Sequence, residues 1–165
     1  MYYSKVKFND VANGPGLRLS LFTSGCAHHC KGCFQPETWD FKNGEPFTLE
    51  TQKYIIEKSK NKYIAGLSLL GGDPLDNIDG ILPLLQEYRD VFGESKNIWL
   101  WTGYIFEEIL QDNVKSKILP FIDVIIDGEF EENLKDITLK YKGSANQRVI
   151  DVKKSINTNT IVLYN

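Results

Sequence analysis

The sequence predicts an α/β fold, a single-domain partial (open) parallel β/α barrel formed by residues 1–165. Three observations carry that expectation. Apolar runs with strand character alternate with amphipathic stretches of helical spacing, and each strand-like run ends on a glycine-rich or acidic turn. The chain is also too short for eight such units, which take about 250 residues. At 165 residues, with 42% hydrophobic and 25% charged, its composition is that of one ordinary globular domain.

The elements follow in order along the chain. "LRLSLFTSG" (17–25) alternates leucine and aromatic positions with polar ones and closes on Ser-Gly, a strand pattern. "TLETQKYIIEKSK" opens on Thr48 as candidate N-cap, carries Glu50 and Thr51 in its first turn, and spaces Leu49, Ile55 and Ile56 as a helix does. "AGLSLLGGDP" (65–74) is a buried strand running into a tight turn. "LDNIDGILPLLQEYRDVF" puts Ile78, Ile81, Leu82, Leu85 and Tyr88 on one helical stripe, with Pro83 tolerated only near the first turns. "NIWLWTGY" is a third strand, with Ile98 and Leu100 facing the core. "IFEEILQD" and "VKSKILPF" are short helices, and "IDVIIDG" is a fourth strand. The closing "GSANQRVIDVKKSINTNTIVLYN" reads as one or two further strands joined by an Asn/Thr turn. Such alternation favours parallel strands with right-handed crossovers, whose carboxyl ends carry the site. Those ends here carry "SGC", "GGDP", "WTGY" and "DGEF".

Charge and cysteine usage exclude several classes. A net charge of −3 and lysines scattered among acids offer no basic field for nucleic acid. The amino terminus "MYYSKVKFND" alternates polar and apolar residues and lacks the pattern of a signal peptide. Apolar runs such as "ILPLL" fall far short of a membrane span. A cytoplasmic protein with no membrane partner is the expectation. Three cysteines, all within eight positions, are also a poor disulfide framework.

Those cysteines, Cys26, Cys30 and Cys33, lie in "SGCAHHCKGCFQPETW". A structural zinc site takes four ligands and an ordinary four-iron cluster takes four thiolates. This chain supplies three thiols, which leaves one iron of a cluster open to a ligand. A Cys3His zinc site completed by His28 or His29 is the rival, although adjacent residues inside the loop curl back poorly onto an ion held by their neighbours. Buried inert thiols and a C-x2-C redox pair at 30 and 33 are further readings.

"CAHHCKGC" has the C-x3-C-x2-C pattern of the radical S-adenosylmethionine superfamily, and "GGDP" after the next strand resembles its second hallmark. More narrowly, "NGPGLRLSLFTSGCAHHCKGCFQPETW", "LLGGDPL", "WTGY", "IDVIIDGEF" and "GSANQRVID" occur in the order seen in the activases of anaerobic ribonucleoside-triphosphate reductase. The resemblance runs from about Asn13 to Asp151. It implies a partial barrel of the radical S-adenosylmethionine type and a [4Fe-4S] cluster on Cys26, Cys30 and Cys33, whose open iron chelates S-adenosylmethionine. Reductive cleavage then gives a 5′-deoxyadenosyl radical, which abstracts hydrogen from a glycine of the large catalytic subunit of the reductase. A one-electron donor such as reduced flavodoxin is implied as well.

The resemblance also distributes roles among this chain's residues. Gly71 and Gly72 bring backbone close to the methionine end of S-adenosylmethionine, with Asp73 available to its ammonium and Pro74 closing the turn. Asp73 stands where the superfamily often has glutamate. Gly32, Cys33 and Phe34 meet the adenine, although the aromatic residue that often precedes the last cysteine is here Gly32. Trp101 and Thr102 form a cofactor wall or core packing, and Asp127 is a cofactor contact or a turn residue. "NGPGLR" is a plain loop before the first strand or presents Asn13 and Arg18 near the rim, and Asn146, Gln147 and Arg148, polar residues before an apolar run, cover the ligand or dock the partner. On this reading Gly72→Val weakens S-adenosylmethionine binding and spares iron. Activation of another glycyl-radical enzyme, a small-molecule reaction such as deazapurine synthesis, and a non-catalytic zinc or iron-sulfur module are the alternatives.

Overall fold

A computed structural model describes residues 1–165. Its centre is one open seven-stranded sheet, in the order β3-β1-β2-β4-β5-β6-β7. The four strands expected from the sequence are β2 (Leu17–Ser24), β4 (Ile64–Gly71), β5 (Asn97–Trp101) and β6 (Val124–Asp127), and they pair in parallel. The edges depart from the all-parallel expectation. β1 (Tyr2–Asp10) pairs antiparallel with β2, the short β3 (Glu45–Pro46) antiparallel with β1, and β7 (Arg148–Asp151) antiparallel with β6. Connection geometry explains both edges. Residues 11–16 are enough for a hairpin and too few for a crossover, and the stretch between β6 and β7 contains no α-helix to carry one.

α1 (Leu49–Ser59) starts at Thr48, whose hydroxyl accepts the Thr51 N–H at 3.2 Å, as the sequence suggested. α2 (Ile78–Phe92) buries Ile78, Ile81, Leu84, Leu85 and Tyr88, so Leu84 takes the central place expected of Leu82. Pro83 lies six residues into α2 on its exposed side, where water can satisfy the carbonyl that lacks an N–H partner. α3 (Phe106–Gln111) follows β5, and the second short helix expected there is a 3-10 helix over Lys115–Phe121 that contains Pro120. The tail also differs from its reading. Val152–Thr158 is a helix, α4, because Asp151 caps it by accepting the Lys154 N–H at 3.0 Å; only a single bridge, Ile150 to Leu163, continues the sheet beyond it.

Strand alternation divides the sheet's side chains between two faces. Leu19, Leu21, Leu67, Leu69, Ile98, Leu100 and Ile125 join the helices in the main core. The opposite face carries Arg18, Ser20, Ser68, Trp99, Trp101 and Ile126, and two loops cover it. The loop after β1 reaches it through the Asn13 carbonyl, which accepts from Ser68 Oγ at 2.6 Å. The loop before β7 reaches it through the Tyr141 carbonyl, which accepts the Trp101 indole N–H at 2.7 Å. Between these loops the carboxyl ends of β2, β4 and β5 remain open.

Candidate metal centre

The cysteine loop leaves the carboxyl end of β2 and is pinned at its start. Gly25 N–H donates to Thr38 O at 2.7 Å, and Cys26 N–H to Trp39 O at 3.3 Å. The next parallel strand pins it from the other side, since Asp73 N–H donates to Gly25 O at 2.7 Å. This close approach explains "GGDP". A Cβ on Gly72 would stand 2.4 Å from Gly25 O, and Gly71 holds φ +111° with Thr23 O 2.5 Å from where its Cβ would be. The glycines are therefore required by backbone packing against the cysteine loop, in addition to any ligand access.

Cys26, Cys30 and Cys33 are all free thiols and open onto one cavity of about 420 Å³. Burial pushes the Cys26 thiol up to about 11, with Asp73 and Asp76 adding to the effect, and burial also raises Cys30. The same cavity is lined by Phe34, by Gly71, Gly72 and Asp73, and by Trp101 and Thr102, with Asn13 and Gln147 at its margin. Residues as far apart in sequence as Asn13 and Gln147 are thus brought to one space by the strand order.

Asp73 is 1% exposed and fully engaged. Its carboxylate accepts from Leu75 N–H at 2.8 Å, Thr102 Oγ1 at 2.9 and 3.0 Å, and Gly103 N–H at 2.9 Å. His28 Nε2 lies 3.1 Å from it, an ion-pair distance whose direction does not make a hydrogen bond. On its other side His28 Nδ1 meets Glu129 at 2.8 Å, and its ring packs edge-on against Tyr104. The Asp73 carboxylate facing Nε2, then the contact with Glu129, holds the His28 pKa up at about 9, against a burial that would lower it. His29 stacks on Trp39 with ring centroids 4.7 Å apart. His28 borders the thiol cavity but turns its two ring nitrogens to Asp73 and Glu129, and His29 stacks on Trp39, which argues against a Cys3His zinc site. Asp76 was not singled out from the sequence. It accepts Ala27 N–H at 2.8 Å and the Tyr104 hydroxyl at 2.7 Å. The ligand atoms of His28, Asp73 and Asp76 converge within 4.8 Å, yet every carboxylate oxygen already has a protein donor, so the group acts as a brace.

Other expected site residues lie elsewhere. Arg18 is not at the rim: it is fully buried near the amino end of β2, bonded to Ser68, Pro15, Leu67 and Asn97 and set 5.6 Å from the Trp99 ring. Burial lowers its pKa to about 10. Gly32 lies against Glu132 outside the cavity lining, and Pro74 is buried as the first residue of a 3-10 helix. Asp127, Asn146 and Arg148 border a neighbouring polar cavity of about 790 Å³ that has no thiol and shares His28, Gly103 and Gly128 with the first. Asp127 accepts Phe106 N–H at 2.8 Å and pairs with Arg148 at 2.5 and 3.0 Å; Arg148 also grips Glu107, and Glu107 and Asp127 together raise its pKa. Asn146 donates to Glu129 O, and Gln147 bridges Gly128 O to the Gly143 and Ser144 N–H groups. Asn146 and Gln147 fasten the loop that carries Phe130 and Gly143 into the thiol cavity wall, and Arg148 ties its base to α3 through Asp127 and Glu107. The only signal for such a role was their polarity ahead of an apolar run.

The donor set fits an iron-sulfur cluster: three free thiols face one cavity, the one histidine that borders it, His28, is engaged by Asp73 and Glu129, and the chain has no fourth cysteine. Comparison with known proteins agrees. A family model described as a 4Fe-4S single cluster domain matches residues 12–150. The anaerobic ribonucleoside-triphosphate reductase-activating protein of Enterobacteria phage T4 is 44% identical over 151 residues, covering 90% of this chain and 93% of the relative. The protein of the same name from Vibrio cholerae is 44% identical over 84% of this chain and 90% of its own length. That from Escherichia coli is 42% identical over 85% and 92%. With its thiols, its braced loop and relatives this similar along almost their whole length, the chain belongs to the family of anaerobic ribonucleoside-triphosphate reductase-activating proteins.

Proposed function

We propose that this chain activates an anaerobic ribonucleoside-triphosphate reductase as a radical S-adenosylmethionine enzyme, working as one domain over residues 1–165 with a partial-barrel scaffold. The observation that carries the reading is the convergence of Cys26, Cys30 and Cys33 on one cavity at the carboxyl ends of parallel strands, with no fourth thiol. The three thiolates hold a [4Fe-4S] cluster and leave one iron for S-adenosylmethionine. When bound, that pair of groups supplies a 5′-deoxyadenosyl radical, which removes a hydrogen atom from a glycine of the reductase's large subunit.

The protein's part is holding and shielding. Gly71 and Gly72 present backbone to the cavity beside the thiols, and Trp101 and Thr102 form its wall on β5. Asp73 holds Thr102 and Gly103 in that wall. Phe34, 62% exposed at the mouth, and Gln147 stand where the ligand enters. A radical site this open suits a macromolecular substrate, because the partner's own surface excludes water when it docks. The electron comes from a one-electron donor such as reduced flavodoxin. The reaction belongs in the cytoplasm, in line with a chain in which no helix is long and apolar enough to cross a membrane.

The test is anaerobic. The protein is reconstituted with iron and sulfide, reduced, and given S-adenosylmethionine, with 5′-deoxyadenosine and methionine assayed and electron paramagnetic resonance recorded throughout. The expected result is a cluster signal altered by S-adenosylmethionine, cleavage, and a glycyl radical once the large subunit is added. A zinc-loaded protein that shows none of these overturns the reading.

A further inference from the structure

We infer that Asp76 is a positioning residue for the first thiol of the loop, and that its carboxylate charge sets how readily the group held by the three thiols is reduced. The inference rests on the cluster reading above and adds a residue which that reading does not use. Asp76 does not line the thiol cavity. It stands behind the cysteine loop in the 3-10 helix Pro74–Asn77, half-buried, with both carboxylate oxygens engaged. One accepts Ala27 N–H at 2.8 Å, from the residue directly after Cys26. The other accepts the Tyr104 hydroxyl at 2.7 Å, from the turn after β5. Cys26 is therefore held on one side by its own N–H to Trp39 O, and on the other through Ala27 by a carboxylate tied to a different strand.

Two effects follow from that placement. The bond to Ala27 limits where the Cys26 thiolate can point, as partners one step behind a metal ligand do. The charge sits half-buried behind the loop, partly screened by solvent, and a negative charge near a cluster opposes the arrival of an electron. Tyr104 offsets part of the charge by donating to it. Removing the carboxylate's charge and removing Tyr104's hydroxyl should thus move the reduction potential in opposite directions, which a purely structural brace would not do.

The experiment uses the full chain, reconstituted anaerobically, with iron per chain measured and the midpoint potential titrated by electron paramagnetic resonance. Asp76→Asn keeps the size of the side chain and an acceptor for Ala27 N–H. Iron content is expected to match the wild type, and the one-electron equilibrium to shift toward the reduced form by about tenfold, or 59 mV. Tyr104→Phe is expected to hold the same iron at a lower potential. Asp76→Ala, with both bonds gone, should release iron to a chelator faster than Asp76→Asn. Potentials that stay put, or that move the same way in both charge variants, overturn the electrostatic role, and equal iron retention by Asp76→Ala overturns the positioning role. Should Asp76→Asn fail to fold, Tyr104→Phe decides alone, and an unchanged or raised potential counts against the inference. A wild-type chain that takes up no cluster overturns the underlying reading instead.

Discussion

Two buried polar regions share the sheet face turned away from the main core, and they differ in how completely they are satisfied. Near the amino ends of the strands, Arg18 directs five hydrogen bonds to Ser68, Pro15, Leu67 and Asn97, none of them to a carboxylate. Beside it the fully buried Asp10 accepts from Ser20 at 2.7 Å, Asn13 at 2.5 Å, Ala12 N–H at 3.0 Å and Lys7 at 3.0 Å. At the carboxyl ends, Asp73 and Asp76 are equally engaged, but the three thiols open on a cavity with no side-chain partner. A folded chain rarely leaves buried polar groups unmatched. The saturated network is thus architecture, and the three free thiols gathered on one cavity mark the chemistry, whereas other buried atoms without a partner, the Ser59 and Tyr88 hydroxyls, line no such cavity. Asn13 joins the two regions, donating to Asp10 while bordering the thiol cavity.

Removing a thiol should break the comparison most completely. Cys26→Ala, Cys30→Ala and Cys33→Ala are each expected to abolish S-adenosylmethionine cleavage while leaving a folded protein, measured by 5′-deoxyadenosine formation and circular dichroism. Activity in any one purified variant would show that the three do not act as a set. Gly72→Val comes next, and the structure reverses the effect expected from sequence. A side chain there strikes Gly25 O, just before Cys26, so most of the iron should be lost along with ligand binding, as read by iron analysis after reconstitution.

The saturated region should respond in stability. Arg18→Ala strands the neutral acceptors that the guanidinium satisfies and is expected to cost about 2–3 kcal/mol in urea unfolding, the range for losing hydrogen bonds to a charged group and leaving buried partners unsatisfied. Iron content per folded chain should stay unchanged. Asp10→Asn is the smallest effect. Hydrogen bonds from Ser20, Ala12 and Asn13, with Lys7, overcome the burial that would raise the Asp10 pKa and hold it at about 2, against 3.8 unperturbed. A depressed carboxylate pKa adds stability above about pH 4 that disappears as pH falls toward 2. The variant should therefore be about 2 kcal/mol less stable at neutral pH, with the gap closing in acid. A gap that persists at pH 2 would assign the loss to packing.

Strand identity, helix identity and the thiol motif were legible in the chain because each rests on local pattern. Alternation marked β2, Thr48 announced α1, and three cysteines within eight positions stated their own ligand count. Strand direction at the edges was not legible, because it depends on whether a connection is long enough and helical enough to cross the sheet. Asp76 escaped notice, and His28 was weighed only as a zinc ligand, for a related reason. Asp76 belongs to no spaced motif, His28 is only a filler position of the cysteine motif, and their meaning comes from Ala27, Tyr104, Asp73 and Glu129, which only strand order brings near. Arg18 shows the converse. Its neighbours in sequence suggested a rim, while alternation along β2 turned its side chain inward, where only the arrival of β4 and β5 supplied acceptors. By itself the sequence determined the α/β alternation, the three-thiol count and the turns at the strand ends. The tertiary structure decided which polar groups would be satisfied and which left open, because hydrogen-bond partners distant in sequence are assigned only when strands align.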